Sequence, residues 1–186
     1  MSHGLRKRRH AIVPLMIRSR CVLMHIANGR VLLDPDDFEK VRHRPWFAAR
    51  IAGVTYAMSN GRKGEGVRMH AMHRVILGLA RGGTVVDHRN MNGLDNRRNN
   101  LRPCDRARNG QNRGKADNGS RSRFKGVTVE NLVAGKPYAA TIGFGGKTKR
   151  LGRYSTEAEA ARAYDRAAVE LHGEFARTNQ ALGLLY

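Results

Sequence analysis

The segment from Val85 to Asn112 constrains the fold of this chain more than any other. It places Asp87 beside His88 at the end of a short apolar run, and a turn-rich loop follows. The predicted elements are a strand over 84–88, a loop over 89–98, a second strand over 100–103 and a helix over 105–112. The order strand, loop, strand, helix predicts a ββα arrangement with an acid and an imidazole at the end of its first strand.

An acid, an imidazole and an amide in a basic chain are the groups that hydrolysis of a phosphodiester with one metal ion requires. One divalent ion neutralises the phosphate and stabilises the departing oxygen. Because Mg²⁺ prefers oxygen ligands and keeps several waters, the carboxylate of Asp87 and the amide of Asn109 suffice. His88 can accept a proton from water, since an imidazole titrates at about 6.5. Adjacent strand residues point to opposite faces, so the strand end has to twist or bulge for both side chains to reach one phosphate.

This segment resembles the HNH nuclease motif of phage and intron homing endonucleases. The resemblance covers roughly residues 22–112 and includes the run Met72-His73-Arg74 ahead of the motif. It implies a ββα-metal nuclease module with a strand-rich segment before it, and Mg²⁺ or Mn²⁺ as the cofactor.

The resemblance also implies roles for four residues. His88 is the general base, and Asp87 and Asn109 are the metal ligands. Asn100 is the second catalytic residue, which holds the loop and orients the base. Many family members end the motif with histidine, so Asn109 makes this chain a His-Asn-Asn variant, which argues against a zinc or nickel site.

Several of these assignments have structural alternatives. His88 can be a core histidine bonded to a backbone carbonyl. Asn109 can be a helix-surface residue, with Asn112 as the ligand instead. His73 is interpreted as a packed or phosphate-facing residue rather than as a catalyst.

Arginines surround the predicted site. One alternative is that these arginines only form a solvated basic face. Beside a nuclease motif, contact of the arginines with DNA phosphates is favoured. The residues predicted to bind DNA are Arg89, Arg97, Arg98 and Arg102, with Arg106 and Arg108 nearby.

Short strands and turns are predicted over residues 11–68, with Asn28-Gly29 as a hairpin turn. Trp46 is predicted to pack in the core with Phe47 and Tyr56, and base stacking by Trp46 is its alternative. Strands are predicted over 22–26, 31–33 and 54–57, a brief helix from Pro35 with Asp34 as its cap, and a helix over 70–80.

Residues 123–180 predict a second unit, after a polar linker over 113–122. Three strands are predicted over 124–130, 136–144 and 147–154, followed by a helix with a Thr156–Glu159 capping box and Gly173 at its end. The charges are sorted: eight basic residues and one acid lie between Arg121 and Arg153, and five acids and two bases between Thr156 and Glu174. The pattern predicts a basic sheet packed on an acidic helix.

This second unit resembles the AP2/ERF DNA-binding domain. The matching pieces are FKGV at 124–127, YAATI at 138–142, RLGRYSTEAEAARAYDRAAVELHG at 150–173 and Thr178-Asn179. The resemblance implies that an antiparallel three-stranded sheet, packed on one helix, enters the major groove. Plant members differ at Thr128, Tyr138 and Arg150, so base specificity cannot be transferred. By position, the implied contacts are Arg123, Lys125, Thr128, Tyr138, Lys147, Lys149 and Arg150.

The net charge of +20 predicts a polyanionic partner. Double-stranded DNA is favoured over a membrane surface because no basic amphipathic helix stands out. Cys21 and Cys104 do not have the CxxC spacing of a metal site, and two cysteines do not form a disulfide framework. We therefore expect both thiols to stay free in a reducing compartment. The basic start of the chain does not match a signal peptide. We expect a cytoplasmic protein of a bacterial or phage-infected cell, a monomer or weak dimer with no protein partner implied.

These patterns together predict an α+β protein with a nuclease domain over 1–112, a linker over 113–122 and a DNA-binding domain over 123–180. The expected function is site-directed hydrolysis of DNA. One alternative is a transcription regulator whose HNH fold only grips DNA. Another is a non-catalytic protein that packages RNA or the nucleoid.

Overall fold

The computed structural model describes residues 14–17, 21–66, 68–80, 82–115, 121–130 and 135–186, with the backbone alone over 14–17. The protein has a mixed α+β fold of small sheets and short helices. It divides into two compact units, Met1–Pro103 and Cys104–Tyr186. The predicted linker at 113–122 falls within the second unit, and its residues 116–120 lie outside the described residues.

The first unit is rich in strands, as the sequence predicts. Its sheets have the orders β1-β2-β3, β4-β5-β6 and β7-β8. The strands are β1 (Pro14–Ile17), β2 (Cys21–Ile26), β3 (Gly29–Leu33), β4 (Phe47–Ile51), β5 (Val54–Asn60), β6 (Met69–Ala71), β7 (Val85–His88) and β8 (Leu101–Cys104). The helices are α1 (Pro35–Val41) and α2 (Met72–Ile76). A hairpin joins β2 to β3 as predicted, but its two turn residues are Ala27 and Asn28, because Gly29 already pairs with Ile26 as the first residue of β3. Asn28 takes the positive φ of 57° that such a tight turn needs.

The helix predicted over 70–80 is wrong at both ends. Met69–Ala71 pairs with β5 as a strand, so α2 begins only at Met72. The helix ends at Ile76 because Gly78 takes a φ of 65°, a left-handed conformation that stops helical propagation. The apolar spacing still identified the inward face, since Met72 and Ile76 are buried in the core.

The core of the first unit lies between its sheets and both helices. Trp46 belongs to this core, and its indole Nε1 donates to the carbonyl oxygen of Val41 at 2.7 Å. The prediction that Trp46 packs inside is therefore confirmed, whereas Phe47 and Tyr56 are half-buried. The cluster is formed by Val22, Met24, Val31, Leu33, Val41, Trp46, Ala57, Met72, Ile76, Val86 and Leu101.

The second unit contains one antiparallel sheet of order β11-β10-β9. Its elements are α3 (Arg106–Gln111), β9 (Val127–Val129), β10 (Tyr138–Phe144), β11 (Lys147–Tyr154) and α4 (Glu157–His172). The first two strands are shorter than predicted. β9 starts late because Gly126 makes a turn at φ 76° directly before it. In this turn, an added Cβ would lie 2.0 Å from the Tyr164 ring.

Helix α4 packs its alanine-rich face against this sheet, because small side chains allow close approach. The capping box of Thr156 and Glu159 is confirmed, with both reciprocal hydrogen bonds formed. Gly173 ends the helix at a φ of 54°. Within the described part of the chain, none of the helices has the length and apolar character needed to cross a membrane.

Candidate functional site

Asp87 and His88 lie at the end of β7, where the strand leaves the core of the first unit. Both side chains are buried, with 4% and 5% of their surfaces exposed. The strand pairs with β8, and the amide of Arg89 donates to the Asn100 carbonyl at 2.9 Å. The predicted pair is therefore covered by protein and held on a hydrogen-bonded strand end.

Asn100 ties together both halves of the loop that follows β7. Its Oδ1 accepts from the backbone amide of Asn90 at 3.0 Å, and its Nδ2 donates to the carbonyl of Asp95 at 2.8 Å. The side chain is buried, and its bond to the Asp95 carbonyl is shielded from competing water. Asn100 thus has the contacts that holding the loop requires.

The loop is also fixed from outside, by the neighbouring strands. The backbone N–H of Asn96 donates to the carbonyl oxygen of Leu32 at 2.8 Å, and the backbone N–H of Leu32 donates to the carbonyl oxygen of Leu94 at 3.0 Å. On the other side the loop backbone touches β5. A Cβ added at Gly93 would lie 2.4 Å from the carbonyl oxygen of Thr55, so only glycine permits this approach.

Two aromatic rings, those of His73 and Tyr56, pack around the ring of His88. The His73 ring lies 5.1 Å from the His88 ring, centre to centre and nearly perpendicular to it, and the Tyr56 ring lies 5.6 Å from that of His88. Tyr56 and His73 are 5.7 Å apart. This cluster restricts the His88 imidazole to one orientation.

Both imidazoles have a depressed pKa. Burial lowers the pKa of His88 below its ordinary 6.5, against the opposing effects of a hydrogen bond with Asn96 and the charges of Asp87 and Asp95. Burial, together with the charges of His88 and Arg74, lowers the pKa of His73 to about 3. Both rings are therefore neutral at neutral pH, and a neutral imidazole is the form that accepts a proton.

The carboxylate of Asp87 is ion-paired with Arg102. The Arg102 Nε donates to Asp87 Oδ2 at 2.9 Å, and Nη2 donates to the same oxygen. Both side chains are buried. Arg102, predicted to contact DNA, instead neutralises the predicted metal ligand, because a buried carboxylate requires a partner.

This ion pair bears on the expected Mg²⁺ or Mn²⁺. Asp87 offers the oxygen donors that these ions prefer. Its Oδ2 already accepts two guanidinium hydrogens, so a cation fits there only if Arg102 shares or releases the carboxylate. No cluster of three or more His, Cys, Asp or Glu side chains suited to a metal occurs among the described residues.

Asn109, the second predicted ligand, lies on α3 and therefore in the second unit, whereas Asp87 lies in the first. Helix α3 begins at Arg106, with Asp105 as its cap, whose side chain accepts from the amide of Arg108 at 2.8 Å. Asn109 is half-buried. Asn112, the alternative ligand, is buried at the C-terminal end of the helix.

Two more of the arginines predicted to contact DNA are engaged in ion pairs within the first unit. Arg97 donates to Asp95 at 2.8 and 2.6 Å. Arg98 donates to the fully buried Asp37 at 2.7 and 2.8 Å, and to the carbonyl of Ile76 at 3.0 Å. These guanidiniums brace the loop, and each pairing raises the pKa of its arginine. Arg89, the fourth of these arginines, is exposed.

The second unit carries an exposed basic strand. Lys147, Lys149 and Arg150 are all exposed on β11. Arg150 and Arg153 both donate to Glu130, which is the one acid in this basic region. The region from Thr156 to Glu174 has an excess of acid: Glu159, Glu170 and Glu174 are exposed there, beside the exposed Arg162 and Arg166. The predicted sorting of charge between sheet and helix is therefore present in the folded unit.

The remaining predicted contacts of the second unit differ in accessibility. Arg123 is exposed, with its guanidinium carbon 4.8 Å from the centre of the Phe124 ring, and Thr128 is half-buried on β9. Tyr138 packs on the hydrophobic cluster that includes Phe124 and Ala160, between sheet and helix. Of these three, Arg123 is the most accessible to a macromolecule.

Lys125, also predicted to contact DNA, points into the protein. Its Nζ donates to the carbonyls of Gln111 at 2.9 Å and Arg113 at 2.7 Å, at the end of α3. Burial, and next the charge of Arg177, lower its pKa to about 8. The ammonium group thus holds α3 to the sheet of this unit, because each carbonyl needs a donor after the helix ends.

The sequence interpretation missed three neighbours of His88. It placed Tyr56 in the core, gave His73 no contact with the base, and assigned no role to Asn96. The available signal was the run Met72-His73-Arg74 ahead of the motif, which hinted that a second histidine belongs to the site. No pattern along the chain predicts that the loop would fold back on β3 and bring Asn96 to His88.

Comparison with known proteins adds no relative. No family model matches the chain, and neither the curated proteins nor the solved structures contain a match.

Proposed function

We propose that this protein is a DNA endonuclease that hydrolyses phosphodiester bonds, with His88 as the general base. The observation that carries the proposal is the setting of His88. It is a neutral imidazole, packed against the rings of His73 and Tyr56 and beside a carboxylate at a strand end. A histidine that serves only the core has no need of the Asn100-braced loop around it.

The chemistry follows from these side chains. His88 accepts a proton from a water molecule, and the oxygen of that water attacks the phosphorus. The bond between phosphorus and the 3′-oxygen breaks, and that oxygen takes a proton from solvent water, which leaves a 3′-hydroxyl and a 5′-phosphate. A divalent cation such as Mg²⁺ or Mn²⁺, when bound, would neutralise the phosphate and stabilise the leaving oxygen. Asp87 would supply an oxygen ligand, and the assignment of Asn109 as a further ligand stays a prediction of the sequence.

We also propose that the two units correspond to the two resemblances. The first would be an HNH-type ββα nuclease module and the second an AP2-like module that docks on duplex DNA. The exposed cations Lys147, Lys149 and Arg150 support the docking role, because phosphate contacts supply affinity irrespective of sequence. Tethering a cleaving unit to a docking unit raises its local concentration at the DNA.

A second candidate function is DNA binding without cleavage. It is favoured by the ion pair of Asp87 with Arg102, which leaves the carboxylate neutralised without any metal. In such a protein the buried pair would only stabilise the β7–β8 strand end.

The test is cleavage of supercoiled plasmid in Mg²⁺ or in EDTA, by the wild type and by His88→Ala. His25→Ala, at an exposed histidine on β2, is the matched control. Nicking or linearisation that needs Mg²⁺, survives in His25→Ala and disappears in His88→Ala would support the nuclease. Cleavage that persists in His88→Ala would refute the role of this base. A wild type that binds duplex DNA but never cuts a plasmid library of varied sequence would establish the second candidate.

A further inference from the structure

The hairpin that joins β10 to β11 ends in an exposed aromatic ring. Every residue from Gly143 to Arg150 is exposed, and Phe144 keeps 50% of its surface in contact with solvent. Ile142, two residues earlier, is buried against Tyr164 and Ala168 of α4. Phe144 is thus an apolar side chain that the fold of this unit leaves half uncovered.

The position of α4 explains this exposure. The last residue of the helix, His172, donates from Nε2 to the carbonyl of Gly143 at 2.9 Å. The helix therefore covers the strand as far as Gly143, and Phe144 follows beyond its end. The bond to His172 also anchors the base of the hairpin.

The tip is a tight and well-defined turn. Phe144 pairs with Lys147 across Gly145 and Gly146, whose φ angles are 59° and 74°. Two successive residues with positive φ make the compact turn that suits the twist of a hairpin. Such a tip presents its aromatic ring at little entropic cost.

The charge around the ring identifies its partner as a polyanion. Lys147 and Lys149 are exposed beside Phe144, and the sequence has no acidic residue from Gly135 to Thr156. A single aromatic ring flanked by lysines suits nucleic acid better than it suits an apolar groove of a protein. In an apolar groove, the ammonium groups would face an uncharged surface. Apolar side chains of this kind enter duplex DNA as wedges between base pairs.

We propose that this hairpin tip, residues 143–150, binds duplex DNA with Phe144 wedged against a base step, while Lys147 and Lys149 contact phosphates beside it. The inference rests on the DNA binding in the proposed function and adds a base contact that the lysines alone do not provide. The ring contributes through stacking and the lysines through counterion release, so the two contributions differ in their response to salt.

The experiment measures affinity for a short mixed-sequence duplex by fluorescence anisotropy, across a series of salt concentrations and in EDTA. The full chain is used as wild type, Phe144→Ala, Phe144→Leu, Lys147→Gln and Lys149→Gln. Val169→Ala removes an apolar side chain, 59% exposed, from the acidic helix and is the matched control. All variants alter exposed side chains, and thermal unfolding verifies that each remains folded.

We expect Phe144→Ala to weaken binding about tenfold at every salt concentration with an unchanged log–log slope. Phe144→Leu should fall between it and the wild type. Each lysine variant should reduce the slope by about 0.9, and Val169→Ala should match the wild type. In duplexes that carry 2-aminopurine at each base step in turn, the fluorescence of this base should rise when the wild type binds and stay low when Phe144→Ala binds. The reason is that a wedge unstacks the bases next to it.

If Phe144→Ala binds as tightly as Val169→Ala, the inference is overturned, whether or not the lysine variants weaken binding, and the nuclease proposal stands. If the wild type has no salt-dependent affinity for duplex DNA, both fail. If binding behaves as expected but the plasmid is never cut, only the nuclease proposal fails.

Discussion

Replacing Asn100 with alanine should destabilise the first unit strongly, because its amide makes two hydrogen bonds that nothing else can replace. The bond to the Asp95 carbonyl is fully buried, so its loss leaves an acceptor without water and costs about 1–3 kcal/mol. The bond from the Asn90 amide is partly buried and contributes about 1 kcal/mol. We therefore expect the free energy of unfolding to fall by about 2–4 kcal/mol.

The chain offers an unusually selective assay for this loss. Its single tryptophan, Trp46, is buried in the core of the first unit. Urea unfolding followed by tryptophan fluorescence therefore reports on the first unit alone. The matched control is Asn99→Ala, at the exposed neighbouring asparagine, which should change stability by about 0.5 kcal/mol or less.

The comparison of these two variants decides the role of Asn100. If Asn100→Ala were no less stable than Asn99→Ala, the loop would be held by its other contacts and the reasoning would be refuted. If the loop loosens as expected, cleavage by Asn100→Ala should fall even under conditions where the unit stays folded, because His88 would lose its fixed orientation.

Two further predictions concern the second unit and the response to acid. Gly126→Ala should destabilise the protein by about 2 kcal/mol or more, since its Cβ would meet the Tyr164 ring. Gly135→Ala is the matched control, because Gly135 has nearly the same φ, 74°, and open space around it. Thermal unfolding followed by circular dichroism tests this prediction, and equal melting temperatures for the two variants would contradict it. The pKa of His73 is about 3 in the folded state against 6.5 ordinarily, so the unfolded chain binds its proton first, and stability should fall as pH drops from 6.5 toward 3. Urea unfolding of His73→Phe across this range should show a shallower acid loss than the wild type, and a loss as steep as that of the wild type would contradict the assigned cause.

Features that depend on near neighbours in the chain were predictable. The Thr156–Glu159 capping box was found as predicted, and the hairpin between β2 and β3 lies within one residue of the predicted turn, because a cap or turn is decided within four residues. The adjacency of Asp87 and His88 at a strand end has the same local origin.

Features that depend on distant partners were not predictable. Arg98 was assigned to DNA from its position beside the motif, yet it pairs with Asp37, which lies 61 residues away in the chain. Arg102 pairs with Asp87 for the same reason, since a buried carboxylate takes the nearest available cation in space. A single sequence specifies charge and periodicity, but it does not show which buried acids need a counter-ion.

The separation of charge in the second unit has a kinetic consequence. Cations exposed on β11, set against the excess of acid from Thr156 to Glu174, where five acids outnumber two arginines, give this unit a permanent electric dipole moment. In the field of a polyanion such a dipole experiences a torque that turns the strand inward and the helix outward before contact. Fewer collisions then arrive in the wrong orientation, so the association rate should be high at low ionic strength and fall steeply as the Debye length shortens.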